Sequence, residues 1–327
     1  MGQITIRRGI AGVLAGMTLI FPAIGHSQES MPSVITLVVP FSAGGGVDQL
    51  ARGFAQTLES QLPGTSVIVD NKPGANGAIA ARQVARHKAD GSMLLVGTSS
   101  THALGPLVAG VKAADIAKEF SPVSLLATTA NALAVNYSSE WRSLDEFIGA
   151  ARENPKTYGT FGTGSSAHLY GLILAESTDS KLQHVPYKGS SNALTDLLGG
   201  HIDSVLLTTS AMESLKRSDK IRVLAVTGSE RATVFPDVMT FEEQNIKGLD
   251  FNGWFGLFAP LGTPEALRRT IAEIAARVKD DPIVRERLAA QGYEWVGSNP
   301  EKLQQVLQET LDVYKKALAA HPDGISK

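Results

Sequence analysis

The sequence contains no cysteine among its 327 residues. Disulfide scaffolds, thiolate metal sites, cysteine nucleophiles and lipid anchors on an N-terminal cysteine are therefore excluded. The chain also lacks a basic excess, because 30 Lys and Arg residues stand against 32 Asp and Glu residues. A nucleic-acid partner is not expected, since neutralising a phosphate backbone requires clustered positive charge.

Low-complexity tracts, internal repeats and long linkers are absent as well. With 43% hydrophobic and 19% charged residues, the composition is that of an ordinary globular protein rather than a disordered one. At about 100–200 residues per domain, the chain is long enough for two domains around a sizeable core.

A long hydrophobic run occurs once, near the N-terminus. Arg7 and Arg8 precede the apolar segment Ile10–Ile24, which is followed by small residues two positions apart and a polar stretch. This layout is typical of a secretory signal, so residues 1–27 are predicted to be a cleaved signal peptide. The run of about 15 residues is short of the roughly 20 that span a bilayer. An uncleaved anchor and export by the twin-arginine route remain alternatives.

Short β-rich runs alternate with longer helical patterns along the rest of the chain. The predicted strands are Ile35–Val39, Val67–Val69, Met93–Gly97, Val123–Leu126, Leu133–Val135, Gln183–Tyr187, Val205–Leu207, Arg222–Val226, Gly256–Ala259 and Tyr293–Val296. The predicted helices are Asp48–Leu62, Asn76–His87, Leu144–Arg152, Ser166–Glu176, Asn192–Leu198, Glu265–Val278, Pro282–Gln291 and Pro300–Ala320. This alternation predicts an α/β fold with parallel sheets flanked by helices.

Four loops rich in glycine and hydroxyl side chains lie at the ends of strands. They are Pro40–Asp48, Gly97–His102, Gly159–His168 and Val185–Ser191. Open α/β sheets bind ligands at the carboxyl ends of their strands, so these loops are predicted to line one cleft. They offer many N–H and O–H donors and little fixed charge, which suits a small carboxylate held by hydrogen bonds.

The first loop has three consecutive glycines, Gly44–Gly46, immediately before a predicted helix. Such a loop turns backbone N–H groups towards one point, and the helix dipole adds to the attraction for an anion. A plain tight turn is the alternative. If the loop binds the ligand, Gly45→Val should abolish binding and leave the fold intact. A nucleotide is not expected, because the chain has no Gly-Lys-Ser/Thr triplet and the strand after a formal G-x-G-x-x-A at Gly162–Ala167 ends in Lys188 rather than an acid.

Signs of catalysis and of metal binding are lacking. No G-x-S-x-G or H-E-x-x-H motif occurs in the chain. Ser165, His168 and Asp203 can be imagined as a triad, but nothing in their spacing supports one. No catalytic residue, metal site or cofactor is therefore predicted.

Several motifs carry a family resemblance. They are Pro40–Arg52, Val69–Gly77, Val185–Gly189, Asp196–Asp203 and Gly253–Pro264. In this order they resemble the Bug (TctC-type) receptors, the periplasmic solute-binding proteins of tripartite tricarboxylate transporters. The resemblance implies a type II periplasmic-binding-protein fold, in which two α/β lobes enclose a ligand cleft. It also implies a periplasmic location, a monomer, and the permease subunits of such a transporter as transient partners.

The resemblance also implies how the chain divides. The first lobe is expected to comprise residues 28–129 plus 253–327, and the second lobe residues 130–252. The chain would cross between lobes near Thr128–Asn131 and return near Asn252–Phe255.

In such receptors the first glycine-rich loop and a turn of the second lobe grip one ligand carboxylate, partly through ordered water. Asp48 is expected to cap its helix or orient the loop, and Ser42 stands where the family commonly has proline. Tyr187, Phe41 and Trp254 are available to pack on an apolar ligand body. The predicted ligand-binding residues are Phe41, Ser42, Ala43, Gly44, Gly45, Asp48, Thr98, Ser99, Ser100, Thr101, Gly162, Gly164, Ser165, Ser166, His168, Tyr187, Lys188 and Asp203.

The predicted function is capture of a small organic carboxylate and its delivery to a membrane permease. A mono- or dicarboxylic acid, aliphatic or aromatic, is expected. An amino acid is less favoured, because Asp48 is the one carboxylate in the four loops. A receptor that presents its ligand to a sensor protein is one alternative. A secreted α/β hydrolase is the alternative from another class.

Overall fold

The computed structural model describes residues 1–3, 31–112 and 118–320. Residues 1–30 and residues 31–327 form separate units, and the α/β fold lies in the second. The predicted signal peptide, residues 1–27, lies outside the described residues apart from its first three.

The described strands and helices alternate along the chain. The strands are β1 Val34–Val39, β2 Ser66–Asn71, β3 Met93–Thr98, β4 Phe120–Thr129, β5 Asn131–Asn136, β6 Lys156–Thr160, β7 Leu182–Pro186, β8 Ser204–Thr208, β9 Ile221–Val226, β10 Gly253–Pro260 and β11 Glu294–Trp295. The helices are α1 Gly46–Gln61, α2 Ala78–Ala85, α3 Gly105–Val108, α4 Leu144–Glu153, α5 Ser166–Thr178, α6 Ser190–Leu198, α7 Thr209–Arg217, α8 Glu265–Val278, α9 Pro282–Ala290 and α10 Pro300–Ala320. Two short turns, Ala75–Gly77 and Ser100–Leu104, are 3₁₀-helical and π-helical respectively.

The strands form two sheets. One has six strands in the order β11-β4-β10-β3-β1-β2, and the other has five in the order β7-β6-β8-β5-β9. We call the part of the chain around the six-stranded sheet the first lobe and the part around the five-stranded sheet the second lobe.

Both sheets are mixed, so the prediction of parallel sheets is wrong in part. The pairs β1-β2, β1-β3, β6-β7 and β6-β8 are parallel, as helical crossovers require. However, β10 runs antiparallel to β3 and β4, and β5 runs antiparallel to β8 and β9. These two strands enter their sheets from the other lobe rather than through a helix of the same sheet.

The crossing between the lobes is short. The strand β4 ends at Thr129 in the first lobe and β5 begins at Asn131 in the second, so Ala130 alone separates them. The chain returns through β10, whose first residue Gly253 pairs with Thr129. The two connections therefore lie side by side, and we call residues 129–131 and 252–255 the hinge. The predicted residue limits of the lobes stay a prediction.

Helix α1 shows how the sequence positions the loop that precedes it. Leu50, Phe54 and Leu58 recur at four-residue spacing and are buried in the core. Burying side chains of this size contributes about 1.5–3 kcal/mol each, which fixes the helix against the first sheet. Because the helix is fixed, its N-terminus at Gly46 has a fixed position at the carboxyl end of β1.

Two elements beside the cleft were not predicted from the sequence. Strand β6 is short and contains lysine, threonine and glycine, and α7 begins with two hydroxyl residues instead of an apolar pattern. In the part of the chain that the structure describes, no helix is both long enough and apolar enough to span a membrane.

Candidate functional site

A small cavity lies between the two lobes beside the hinge. Its volume is about 30 Å³, which is about twice the space of about 10–15 Å³ that one buried water molecule requires. We call it the deep cavity. It is lined by Phe41, Ser42, Gly45, Gly46, Val47, Asp48, Thr98, Ser99, Ser100, Thr129, Asn131, Phe161, Ser166, Ser190, Thr208, Gly253, Trp254 and Phe255.

Four helices begin at the deep cavity. Gly46 opens α1, Ser166 opens α5, Ser190 opens α6 and Thr208 immediately precedes α7, and all four residues line the cavity. No side chain caps the first turn of α1, α6 or α7. Free N–H groups in the first turn and the positive ends of helix dipoles make such termini favourable places for an anion. The first N–H groups of two of the helices already have acceptors, because Ser166 N donates to Ser100 Oγ and Thr209 N donates to the carbonyl oxygen of Ala130, each at 2.9 Å. The deep cavity is therefore built to attract a negatively charged group.

Asp48 lies at the same place but its carboxylate is already engaged. Oδ2 accepts hydrogen bonds from Gly44 N at 2.9 Å and Arg52 Nε at 3.0 Å, and Oδ1 accepts one from Asn71 Nδ2 at 3.0 Å. Burial raises the pKa of the Asp48 carboxyl, but the hydrogen bonds from Arg52, Gly44 and Asn71 outweigh burial and leave this pKa below its usual value. Asp48 is thus ionised, paired with Arg52, and occupied in holding the glycine-rich loop.

The glycine-rich loop touches the second lobe directly. Ser42 N donates to the carbonyl oxygen of Lys188 at 3.2 Å. In the opposite direction, Ser191 Oγ donates to the carbonyl oxygen of Ala43 at 3.0 Å. The lobes are therefore closed against each other at this loop.

Two further contacts join the lobes. Ser166 N, at the start of α5, donates to Ser100 Oγ at 2.9 Å, and the two hydroxyl oxygens are 3.0 Å apart. Asn76 Nδ2 donates to the carbonyl oxygen of Gly164 at 2.7 Å. These bonds link the turns after β2 and β3 to the loop between β6 and α5.

The loop that carries Asn76 has an unusual backbone. Gly74, Ala75, Asn76 and Gly77 have φ angles of 132°, 47°, 45° and 86°. Two consecutive left-handed residues other than glycine are costly and persist only where their surroundings hold them. The cross-lobe bond from Asn76 to Gly164 supplies such a constraint.

A larger cavity of about 690 Å³ lies next to the deep cavity. We call it the outer cavity. It is lined by Pro40, Phe41, Gly74, Ala75, Asn76, Gly77, Ala78, Ala81, Arg82, Thr101, His102, Gly105, Pro106, Val108, Ala109, Val111, Glu119, Phe120, Phe161, Gly162, Thr163, Gly164, Pro186, Tyr187 and Lys188. Phe41 and Phe161 line both cavities, and their rings meet edge to face at 5.6 Å. One ring comes from each lobe, so this pair lies at the boundary between the two spaces.

The structure distributes the predicted binding residues over both cavities. Those lining the deep cavity are Phe41, Ser42, Gly45, Asp48, Thr98, Ser99, Ser100 and Ser166. Those lining the outer cavity, besides Phe41, are Thr101, Gly162, Gly164, Tyr187 and Lys188. Ala43, Gly44, Ser165, His168 and Asp203 line neither cavity.

Two residues of this last group, Ser165 and His168, support the loops that line the cavities. Ser165 Oγ accepts from His168 N at 3.2 Å and so caps α5. His168 Nδ1 accepts from Gly164 N at 3.2 Å, and its ring stacks on His184 with centroids 3.8 Å apart. Burial lowers the pKa of His168 to about 4, so the imidazole is neutral near pH 7.

Asp203 has a different task from ligand binding. Its Oδ2 accepts from Thr157 N at 2.7 Å and from Thr157 Oγ1 at 2.8 Å. Asp203 immediately precedes β8, so its carboxylate links the start of β8 to β6. Asp203 Oδ2 is therefore engaged inside the second sheet, and Asp203 lines neither cavity.

The predicted set of binding residues leaves out several residues that line the deep cavity. They are Gly46, Val47, Thr129, Asn131, Phe161, Ser190, Thr208, Gly253 and Phe255. Most of them lie in the predicted loops or at the predicted crossings between the lobes, so their neighbourhood was expected although their side chains were not singled out. Thr208 is the exception, and its signal was Thr208-Thr209-Ser210, a further run of hydroxyl residues at the end of a strand.

Comparison with known proteins identifies the family. A model of the tripartite tricarboxylate transporter family receptor, TctC, matches residues 50–321. A UPF0065 protein from the TAR-I ttuE-ttuC' intergenic region of Agrobacterium vitis is 34% identical over 279 residues, covering 84% of this chain and 79% of that protein. The BugT protein of Bordetella pertussis is 32% identical over 285 residues, covering 84% and 86%.

Solved structures agree with this assignment. A periplasmic transporter protein superposes with a TM-score of 0.85 at 32% identity, covering 90% of this chain and 98% of that chain. Rpa4515 of R. palustris, solved with adipate, superposes with a TM-score of 0.83 at 32% identity. The superposition covers 88% of this chain and 97% of that chain. MatC from Rhodopseudomonas palustris, solved with malate, superposes with a TM-score of 0.80 at 29% identity. The superposition covers 87% of this chain and 98% of that chain. The chain therefore belongs to the TctC family of periplasmic solute-binding receptors and has their fold of two α/β lobes, as its sequence motifs predict.

Proposed function

We propose that this receptor captures a small organic carboxylate between its lobes and holds the carboxylate group in the deep cavity. The observation that carries the proposal is the meeting of four helix N-termini at that cavity, three of them without a side-chain cap. Hydrogen bonds to a charged group contribute about 1.5–3 kcal/mol each, so a few N–H donors suffice for firm binding. Because the formal net charge is -2, the attraction for an anion would have to come from local donors and not from the whole molecule.

The outer cavity suits the body of the ligand. Phe41, Phe161 and Val108 give it apolar walls, and Arg82 and Lys188 lie exposed at its edge. An aliphatic or aromatic chain would pack there, and a second carboxylate would be favoured near the two cations. The ligand is therefore a mono- or dicarboxylic acid that extends from the deep cavity past the two phenylalanines. The relatives solved with malate and with adipate support this class.

The mechanism is capture, closure and handover. The cross-lobe bonds at Ser42, Ser100 and Asn76 describe a closed molecule, and the hinge at Ala130 allows the lobes to separate. Ligand binding would favour the closed form by the extra contacts that it makes there. The closed receptor, acting as a monomer in the periplasm, would then dock on the permease subunits of a tripartite transporter.

A thermal-unfolding screen tests the proposal. Free carboxylic acids of two to nine carbons should raise the unfolding midpoint, whereas their methyl esters, amines and sugars should not, because only the anion complements the helix N-termini. A shift produced by the esters as well as by the acids would contradict the proposed role of the carboxylate. Stabilisation by sugars alone would contradict the proposed ligand class.

A further inference from the structure

A fully buried asparagine at the hinge has no hydrogen-bond partner for its side chain. Asn131 is 0% exposed, and it lines the deep cavity. Neither its Oδ1 nor its Nδ2 has a partner. Buried polar groups are almost always paired, because leaving one unpaired sacrifices its hydration without return. A fully buried and unpaired amide therefore indicates a partner that is not part of the protein.

The surroundings keep the Asn131 side chain in this position. Its N–H donates to Thr227 Oγ1 at 2.9 Å, and its carbonyl oxygen accepts from Thr227 N at 2.8 Å. Gly253 leaves room for a small group beside the amide, since a Cβ there would be in van der Waals contact with Asn131 Nδ2 at 3.5 Å, the Thr129 carbonyl oxygen at 3.6 Å and Ser99 Oγ at 3.7 Å. The backbone is thus fixed while the space next to the amide is kept free of side chains.

The chemistry of an amide limits what can complete it. Nδ2 donates and Oδ1 accepts, and the two atoms are adjacent. A carboxylate oxygen accepts from Nδ2 but donates nothing to Oδ1, so with a simple acid the Oδ1 atom would need a water molecule as its donor. A ligand with a donor on the carbon next to its carboxylate would satisfy both atoms together.

The donor on the ligand is a hydroxyl rather than an ammonium group. An ammonium group in a closed site needs a free carboxylate. Asp48 is the carboxylate that lines the deep cavity, and its charge is paired with Arg52 at 3.0 Å. Resting on the proposed function, we propose that the preferred ligand is a 2-hydroxy carboxylic acid and that Asn131 binds its hydroxyl and carboxylate groups together.

Titration calorimetry on matched acid pairs tests this specificity. The pairs are malate with succinate and 3-phenyllactate with 3-phenylpropionate, which differ by one hydroxyl. The wild type should bind the hydroxy acid at least about tenfold more tightly, because a buried polar site rejects a ligand that leaves it unpaired. Asn131→Leu should abolish this preference. Asn131→Ala, which is smaller, provides the same comparison if the leucine variant does not fold.

Asn136→Leu is the matched control on the same strand. The Asn136 amide is satisfied, because Nδ2 donates to Leu197 O at 3.2 Å and Oδ1 accepts from Ser138 N at 3.0 Å. This variant should keep the preference for the hydroxy acid. Without ligand, Asn131→Leu should raise the unfolding midpoint by about 2 °C, because it removes an unpaired buried amide, whereas Asn136→Leu should lower it.

The outcomes separate this inference from the proposed function. Equal affinity for both members of each pair in the wild type, or a preference that survives Asn131→Leu, would overturn the role of Asn131 and leave carboxylate capture intact. A lower midpoint for ligand-free Asn131→Leu would assign the amide a purely structural role and would also overturn the inference. Failure of every carboxylic acid to bind would overturn the proposed function as well.

Discussion

At the residue scale, Gly46 is a position where the two lobes leave no space for a side chain. A Cβ on this residue would collide with Ser210 Oγ and lie 3.0 Å from Thr208 Oγ1. Gly45, which the sequence marks as the sensitive position, has more room, because a Cβ there meets Ser190 only at 3.8 Å. The glycine run was recognisable in the sequence, but which glycine faces the other lobe depends on the closed arrangement.

Gly46→Ala should therefore weaken ligand binding by at least about tenfold and leave the fold intact. The added methyl group opposes closure, while the open form has room for it, so the cost falls on the bound state. Titration calorimetry measures the affinity, and circular dichroism shows whether the variant is folded.

Gly53→Ala is the matched control for this variant. It lies on the same helix, and a Cβ there meets nothing within 4 Å. It should leave affinity unchanged and stabilise the protein by about 0.5–1 kcal/mol through helix propensity. Unchanged affinity in Gly46→Ala would show that the complex does not close to the distance seen here.

Asp48→Asn tests the anchoring of the glycine-rich loop. The substitution leaves Arg52 without its charged partner. It also turns the new amide N–H group towards Gly44 N or Asn71 Nδ2, which are themselves donors. The unfolding free energy should therefore fall by about 1–3 kcal/mol. The folded-state pKa of Asp48 lies below its usual value. The stabilisation is therefore complete above the usual pKa, and it disappears as the pH falls through the folded-state pKa.

Denaturant titration at several pH values provides the measurement for Asp48→Asn. The difference from the wild type should be largest near pH 7 and should shrink towards pH 3. A difference that is the same at both pH values would show that the Asp48 charge does not hold the loop.

At the element scale, the sequence predicts well the strands and helices that stay within one lobe, and it predicts poorly the strands that pass from one lobe to the other. The strand, glycine loop and helix from β1 to α1 follow from apolar spacing and from Gly44–Gly46. The antiparallel placement of β5 and β10 does not, because it depends on strands that change lobes. The deep cavity contains residues from both kinds of unit. For this reason the loop residues were predictable as cavity residues, whereas the family resemblance placed Asn131 at the crossing without indicating that it lines the deep cavity.

Ser100→Ala tests the link between the turn after β3 and α5. Ser100 Oγ accepts from Ser166 N at 2.9 Å, and this bond crosses between the lobes. The alanine leaves a buried N–H unpaired in the closed form only, so affinity should fall by about five- to tenfold. Ser60→Ala, at the exposed end of α1, is the control and should bind as the wild type does. Equal affinities for the two variants would mean that this bond does not contribute to closure.

At the scale of the whole molecule, two buried histidines and one half-buried histidine make stability depend on pH. Burial lowers the pKa of His102 to about 3 and that of His168 to about 4. Burial and the neighbouring His168 lower the pKa of His184 to about 3. In the unfolded chain each imidazole binds a proton below about pH 6.5. Stability is thus complete above pH 6.5 and decreases as the pH falls towards the folded-state values.

The unfolding free energy should consequently be lower at pH 5 than at pH 7.5, by about 2 kcal/mol for each imidazole. Urea denaturation at the two pH values measures the difference. His102→Met, which fills similar space beside Phe258, should reduce the pH dependence without removing it. Equal stability of the wild type at both pH values would show that these rings are protonated in the folded protein.

The most direct test of the central claim is a crystal structure with an acid that stabilises the protein. The carboxylate should lie in the deep cavity, with oxygen atoms about 2.7–3.2 Å from backbone N–H groups at the start of α1 and of α6 or α7. The ligand body should pass Phe41 and Phe161 into the outer cavity. A carboxylate bound to Arg82 and Lys188 in the outer cavity, with the deep cavity unchanged, would contradict the claim that helix N-termini hold the ligand.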